Sequence, residues 1–325
     1  MARGVRHLPV AVALLLAVPL GACSGPHGAA RNVASPPAPS TPGVAASAPP
    51  SARPTPAPTP APTHPAGGAT PHFVANTGDA VGPAAGLGYN LFDTGPDPQT
   101  VAALPAGGQA LVWLGDLGDE NCAPPRLSFP QFSAAVDRMA GNARVFGYFL
   151  ADEPHPRPCP GAVADIRARA DYIRAHDPGR RSFIVVLDGT NQCGGAYGCE
   201  YAALQPAHSH VDLIGLDPYP CNVSRSTCEY GKIDDTVRRA RANGVPAAAI
   251  VPVFQAFGQS CAASNYYRLP GAAELRTMLA HWAALVPHPV FDYTYSWGRQ
   301  GSACPTLADS PQLQAVMRSH NLNPT

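Results

Sequence analysis

Val145-Phe146-Gly147-Tyr148-Phe149-Leu150-Ala151-Asp152-Glu153-Pro154 is the stretch on which the fold turns. From Val145 to Leu150 it is short, apolar and aromatic, which predicts a buried strand. It stops on two adjacent carboxylates and a proline. Pro154 has no N–H for a sheet ladder and disfavours helical backbone at Glu153, so the strand is expected to end extended, with its acids at the tip. The carboxyl end of a buried parallel strand is where barrel enzymes keep their proton donors. An N-cap or a loop ion pair would use the same residue types.

Working outward, apolar runs alternate with amphipathic helical stretches. The expected strands are 88–92, 110–114, 145–150, 183–187, 213–216, 250–254 and 291–295, separated by helical patterns at 129–139, 162–175, 233–242 and 272–285. Such alternation predicts a parallel sheet covered by helices. A length of about 250 residues suits a TIM-type (β/α)8 barrel better than an open sheet. No Gly-x-Gly-x-x-Gly or P-loop follows the first strand to favour a doubly wound nucleotide fold. Seven strands are clear; the eighth is expected within 73–76 or after Asp116, failing which the barrel is irregular.

The strand tips carry Asp93, Trp113 with Asp116, Asp152 with Glu153, Asp188, Asp217 with Tyr219, Gln255 with Phe257, and Tyr295 with Trp297. Aromatic faces stack on the C–H faces of sugars, and carboxylates and amides bond their hydroxyls. The ring of tips therefore favours a carbohydrate, with Asp93, Trp113, Asp188, Tyr219, Gln255, Tyr295 and Trp297 as the expected contacts.

Over roughly residues 86–316 the chain resembles the barrel glycoside hydrolases. Asp152-Glu153-Pro154 is similar to the sequence that ends their fourth strand, Tyr293-Thr294-Tyr295-Ser296-Trp297-Gly298 to the tryptophan end of their eighth, and Leu216-Asp217-Pro218-Tyr219 to an aromatic sixth-strand tip. The resemblance implies Glu153 as acid/base and Trp297 as a wall of the sugar subsite. One departure is plain: where two-glutamate barrels carry a nucleophile at the seventh strand, this chain has Gln255, and an amide cannot form a glycosyl ester. Asp217 or Asp188 could serve instead, Asp152 beside Glu153 could support catalysis assisted by a substrate N-acetyl group, or the domain could bind sugar without cleaving it. If Asp217 is the partner, a carboxyl separation of about 5–5.5 Å indicates retention and about 6.5–9.5 Å inversion.

The first 72 residues read as address and tether. Arg3 and Arg6 precede an apolar run ending in Leu20-Gly21-Ala22-Cys23, which resembles a bacterial lipoprotein signal. Residues 1–22 are expected to be removed and Cys23 lipidated; ordinary secretion is the alternative. Residues 23–72, rich in Pro, Ala and Thr, have little to bury and suit an extended spacer, with the barrel domain at 73–325. Setting Cys23 aside from nine cysteines leaves an even number, as a disulfide framework requires. Cys193–Cys199 and Cys221–Cys228 would close short loops, leaving Cys122–Cys159 and Cys261–Cys304. All follow strands, so they would brace the catalytic face. The formal charge of zero and the lack of a basic stripe give no case for nucleic acid. No Cys-x-x-Cys occurs, and His208-Ser209-His210 sits in a polar connection, so neither metal nor cofactor is expected. No Gly-x-Ser-x-Gly elbow points to an esterase.

The sequence thus leads to a monomeric, lipid-anchored, extracytoplasmic barrel hydrolysing a polysaccharide or cell-wall glycan, with Glu153 as acid and Asp152 and Asp217 in the second catalytic role. Its membrane contact is the lipid alone. The alternative is a non-catalytic carbohydrate-binding or wall-associated lipoprotein.

Overall fold

Short runs of Val, Ile, Leu and Phe set the sheet. In the computed structural model, which describes residues 70–115, 125–187, 198–261 and 265–323, they form β1 (His72–Val74), β2 (Leu91–Thr94), β3 (Gln109–Trp113), β4 (Val145–Asp152), β5 (Arg181–Val186), β6 (Leu213–Leu216), β7 (Ile250–Gln255) and β8 (Asp292–Tyr295). Each strand pairs in parallel with the next and β8 returns to β1, closing an eight-stranded barrel. The missing strand is β1, found at the first of its two expected places. It starts at His72, one residue ahead of the expected domain start, and His72 is buried. The signal, Cys23 and nearly all of the tether lie outside the described residues.

Helices α1 (Val81–Ala85), α2 (Pro98–Ala102), α3 (Phe129–Met139), α4 (Ala162–His176), α5 (Cys199–Leu204), α6 (Pro206–Ser209), α7 (Gly231–Ala242), α8 (Ala272–Leu285) and α9 (Pro311–Leu322) lie between and after the strands. Their starts carry local signals. The Ser128 N–H donates to Gln131 Oε1 at 2.9 Å ahead of α3, and the Gly271 N–H to Glu274 Oε2 at 2.9 Å ahead of α8. No helix of the described residues is long and apolar enough to cross a membrane.

The strand period of two sorts side chains into two cores. Phe73, Leu91, Leu111, Phe149, Phe183, Val251 and Phe291 fill the barrel. Their neighbours Val74, Phe92, Val112, Tyr148, Ile184 and Phe254 pack outward beneath the helices. In β6, Leu213 faces in and Ile214 out, so Gly215 and Asp217 fall on the inward parity. Gly215 has to be small: a Cβ there would lie 2.9 Å from both the Phe183 ring and Val185. The two bridges among the described cysteines are Cys221–Cys228 and Cys261–Cys304, as expected. Cys159 and Cys199 are also disulfide-bonded; their expected partners Cys122 and Cys193 lie outside the described residues.

Candidate active site

The mouth of the barrel is built by the tips of β4, β6, β7 and β8. A register shift between Phe149 and Ala151 in the β4–β5 ladder re-aims the end of β4. Glu153 still donates its N–H to Val185 O at 3.1 Å, but its backbone is left-handed, with φ +48°. That corrects the extended backbone expected ahead of Pro154: the tip turns at Glu153 and does not run straight on.

The turn brings Glu153 against Asp217. Asp217 is 2% exposed. Among the described residues no N–H or hydroxyl of another residue is bonded to either of its carboxyl oxygens. Its electrostatic partner is the Glu153 carboxyl. Burial and the charges of Glu153 and Asp152 together push the Asp217 carboxyl well above the ordinary carboxylate range. Asp152 completes the acidic group as its exposed member.

Four tyrosines wall this pair. Tyr219, Tyr267 and Tyr295 are half-buried around it and Tyr293 is buried beneath. Burial is the main cause that raises all four phenols, with negative charge from Asp217 adding to each. They stay neutral and keep their O–H donors. Tyr219 and Tyr295 are expected contacts brought to the site, and Phe257, expected at the β7 tip, meets Tyr219 edge-on at 4.9 Å; Tyr267 and Tyr293 are not among the expected contacts. The inward period of β8 was the signal available for Tyr293. For Tyr267, on the loop after β7, there was none.

The other expected contacts fare differently. Asp93 is held by the β1 loop, accepting from the Asn76 N–H at 3.1 Å, and burial raises its carboxyl. Trp113 is half-buried at the barrel mouth, edge-on to Phe149 at 4.5 Å. Trp297 departs from expectation: it is 7% exposed and belongs to the core beneath the helices, because the chain turns after Tyr295 and strand parity no longer holds. Gln255 also departs. It is fully buried, and its Oε1 accepts from the Cys221 N–H at 2.8 Å. Its Nε2 donates to the carbonyls of Cys221 (2.9 Å), Arg268 (3.1 Å) and Phe257 (3.3 Å), so a sugar hydroxyl would have to break this set to reach it. Asp116 and Asp188 lie outside the described residues.

At the opposite end of the barrel, His72, Asp292 and His320 bring three donor atoms within 4.8 Å of one another, a set that could hold a metal. They bond each other directly: His72 Nδ1 lies 2.9 Å from both Asp292 oxygens and His320 Nε2 2.8 Å from one.

No protein-family model matches the chain. No curated protein sequence matches it either. Solved structures do. An endo-β-1,3-glucanase of glycoside hydrolase family 128 (subgroup I) from Amycolatopsis mediterranei, in complex with laminaritriose, is similar at a TM-score of 0.50 and 16% identity, covering 77% of this chain and 98% of that one. A β-galactosidase from the psychrophilic Marinomonas ef1 is similar at a TM-score of 0.55 and 9% identity, covering 78% of this chain and 59% of the other. At these identities the likeness is one of fold: this chain folds as glycoside hydrolase barrels do.

Proposed function

We propose that this protein is a cell-surface glycoside hydrolase acting on a polysaccharide or cell-wall glycan, with Glu153 as general acid. The observation that carries the reading is the buried Asp217 carboxyl set beside Glu153 at the strand tips inside a wall of tyrosines, pushed well above the ordinary carboxylate range. Like-charged buried groups are unfavourable unless something uses the proton they retain. A barrel of the same fold that holds laminaritriose makes a glycan the ligand class to test first.

In the cleavage step the proton passes from Glu153 to the glycosidic oxygen. The C1–O bond breaks with its electron pair on that oxygen, and water adds to C1, giving up a proton to a carboxylate. Asp217 is the buried electrostatic partner of Glu153, which suits holding the acid protonated better than activating a water. Asp217 therefore loads and orients the acid. Exposed Asp152 takes the proton of the attacking water.

Sugar release from a panel of polysaccharides and aryl glycosides by wild type and Glu153→Gln tests this. The variant should lose about 10²–10⁴-fold in turnover. Full turnover by Glu153→Gln would remove the acid assignment. A second reading, a glycan-binding protein without catalysis, is favoured by Gln255, whose amide is committed to the loops where two-glutamate barrels have a nucleophile. Retention of wild type on a glycan gel with no release from any substrate would select it.

We place the domain outside the cytoplasmic membrane, attached as a monomer through a lipid on Cys23 and spaced by residues 24–72. The two loop disulfides support an oxidising compartment. Wild type should incorporate a palmitate probe and Cys23→Ser should not; an unlabelled wild type would favour free secretion.

A further inference from the structure

The loops after β6 and β7 are joined into a small antiparallel ribbon. Asn222 and Tyr267 form its bridge, Val223 donates its N–H to Tyr266 O at 2.9 Å, and Arg268 donates to Cys221 O at 3.2 Å. Three devices fix it. Gln255 spans both strands of the ribbon through Cys221 and Arg268. Cys221–Cys228 ties one loop to itself. Gln259 accepts the N–H groups of Tyr266 and Tyr267, each at 3.1 Å, and donates to Ser302 at 2.7 Å.

This rigid ribbon leaves two large apolar side chains in water. Tyr266 is 54% exposed and Val223 46%. Ring contacts connect them inward: Tyr266 meets Tyr267 edge-on at 4.8 Å, Tyr267 meets Tyr219 at 5.5 Å and Phe257 at 5.3 Å, and Phe257 meets Tyr295 at 5.2 Å. Tyr267 already feels the charges of Asp217 and Glu153. The aromatic surface is thus continuous from the acid pair to the rim. Nearby cations are paired: Arg268 makes a two-pronged pair with Glu274, and Arg225 and Lys232 share Glu229 at 3.1 and 3.2 Å.

We propose that this ribbon is an outer subsite for an uncharged polysaccharide chain, with Tyr266 as its platform and Gln255 as the clamp that keeps it in place. The inference rests on the glycan reading of the acid pair and adds the direction in which the chain leaves it. An exposed ring joined by ring contacts to the proposed site offers a face on which a sugar can stack. A platform fixed beforehand spares the ordering loss that a mobile loop would bring to binding. With both arginines held in ion pairs, stacking on the rings is what the surface mainly offers a chain.

Affinity electrophoresis through gels containing laminarin, hydroxyethylcellulose or galactomannan tests the subsite, using wild type, Tyr266→Ala, Tyr266→Phe and, as an exposed control far from the ribbon, Phe129→Ala. At least one gel should retard wild type. Tyr266→Ala should bind about tenfold more weakly, a loss within the range of one aromatic contact, while Tyr266→Phe and Phe129→Ala are retarded like wild type. Retardation of Tyr266→Ala equal to wild type would overturn the subsite and leave the acid pair standing. Wild type passing unretarded through all three gels would overturn the subsite together with the glycan reading.

Discussion

At the floor of the barrel Asp292 accepts hydrogen bonds from two imidazoles, whereas at the mouth Asp217 meets another carboxyl. Both acids are buried, and burial by itself disfavours the charge on each. At the floor, bonds from His320 and His72 outweigh that effect and hold Asp292 below the ordinary carboxylate range. At the mouth, Glu153 and Asp152 add to it and Asp217 rises. His72 opens β1, Asp292 opens β8 and His320 lies in α9, so the floor cluster pins the seam where the barrel closes. One end of the same fold uses its carboxylate to stabilise; the other keeps an unfavourable one. Such a contrast supports the proposal that the working chemistry lies at the mouth.

The largest expected effect is on activity at the mouth: Glu153→Gln should lower sugar release about 10²–10⁴-fold with its melting midpoint near that of wild type. The next is at the floor. Asp292→Ala leaves the buried His72 and the half-buried His320 without their partner and should cost on the order of 1–3 kcal/mol at neutral pH, measured by chemical denaturation. The Asp292 contribution is present above its unfolded value and is lost as pH falls through its depressed folded value, so the deficit of the variant should shrink in acid. A variant as stable as wild type at pH 7 would remove the floor from the comparison. The smallest effect has the opposite sign. The favourable contribution of Asp217 is full below the unfolded carboxylate value and is lost as pH rises through its raised folded value. Asp217→Asn should therefore stabilise the protein at pH 8, with the gain fading below about pH 4. Destabilisation at pH 8 would mean that the pair is not strained as described.

Much of the barrel was legible because strands covered on both faces are continuous apolar runs and the helices carry their own caps; α3 and α8 fall within the bounds that the pattern gave. β1 was hard to see because it has three residues and follows a proline-rich segment. Asp217 could be placed inward by strand parity, and Glu153 stood out by its motif. Their contact could not be read, since it depends on a bulge in β4 and a left-handed Glu153 that no local pattern encodes. Trp297 and Gln255 misled for a related reason. A strand tip is where parity stops: Trp297 turns back under the helices, and the Gln255 amide is captured by the Cys221 carbonyl, 34 residues earlier in the chain, and by those of Phe257 and Arg268 after it.

The central claim is that a proton retained at the mouth cleaves a glycosidic bond. The pH dependence of kcat/KM for sugar release, compared between wild type and Asp217→Asn, tests it most directly. The account predicts a wild-type alkaline limb above the ordinary carboxylate range, set by the pair as a unit, that moves to lower pH, with reduced activity, once the second carboxyl is gone. An alkaline limb unmoved by Asp217→Asn, or no release by wild type at any pH, would contradict it.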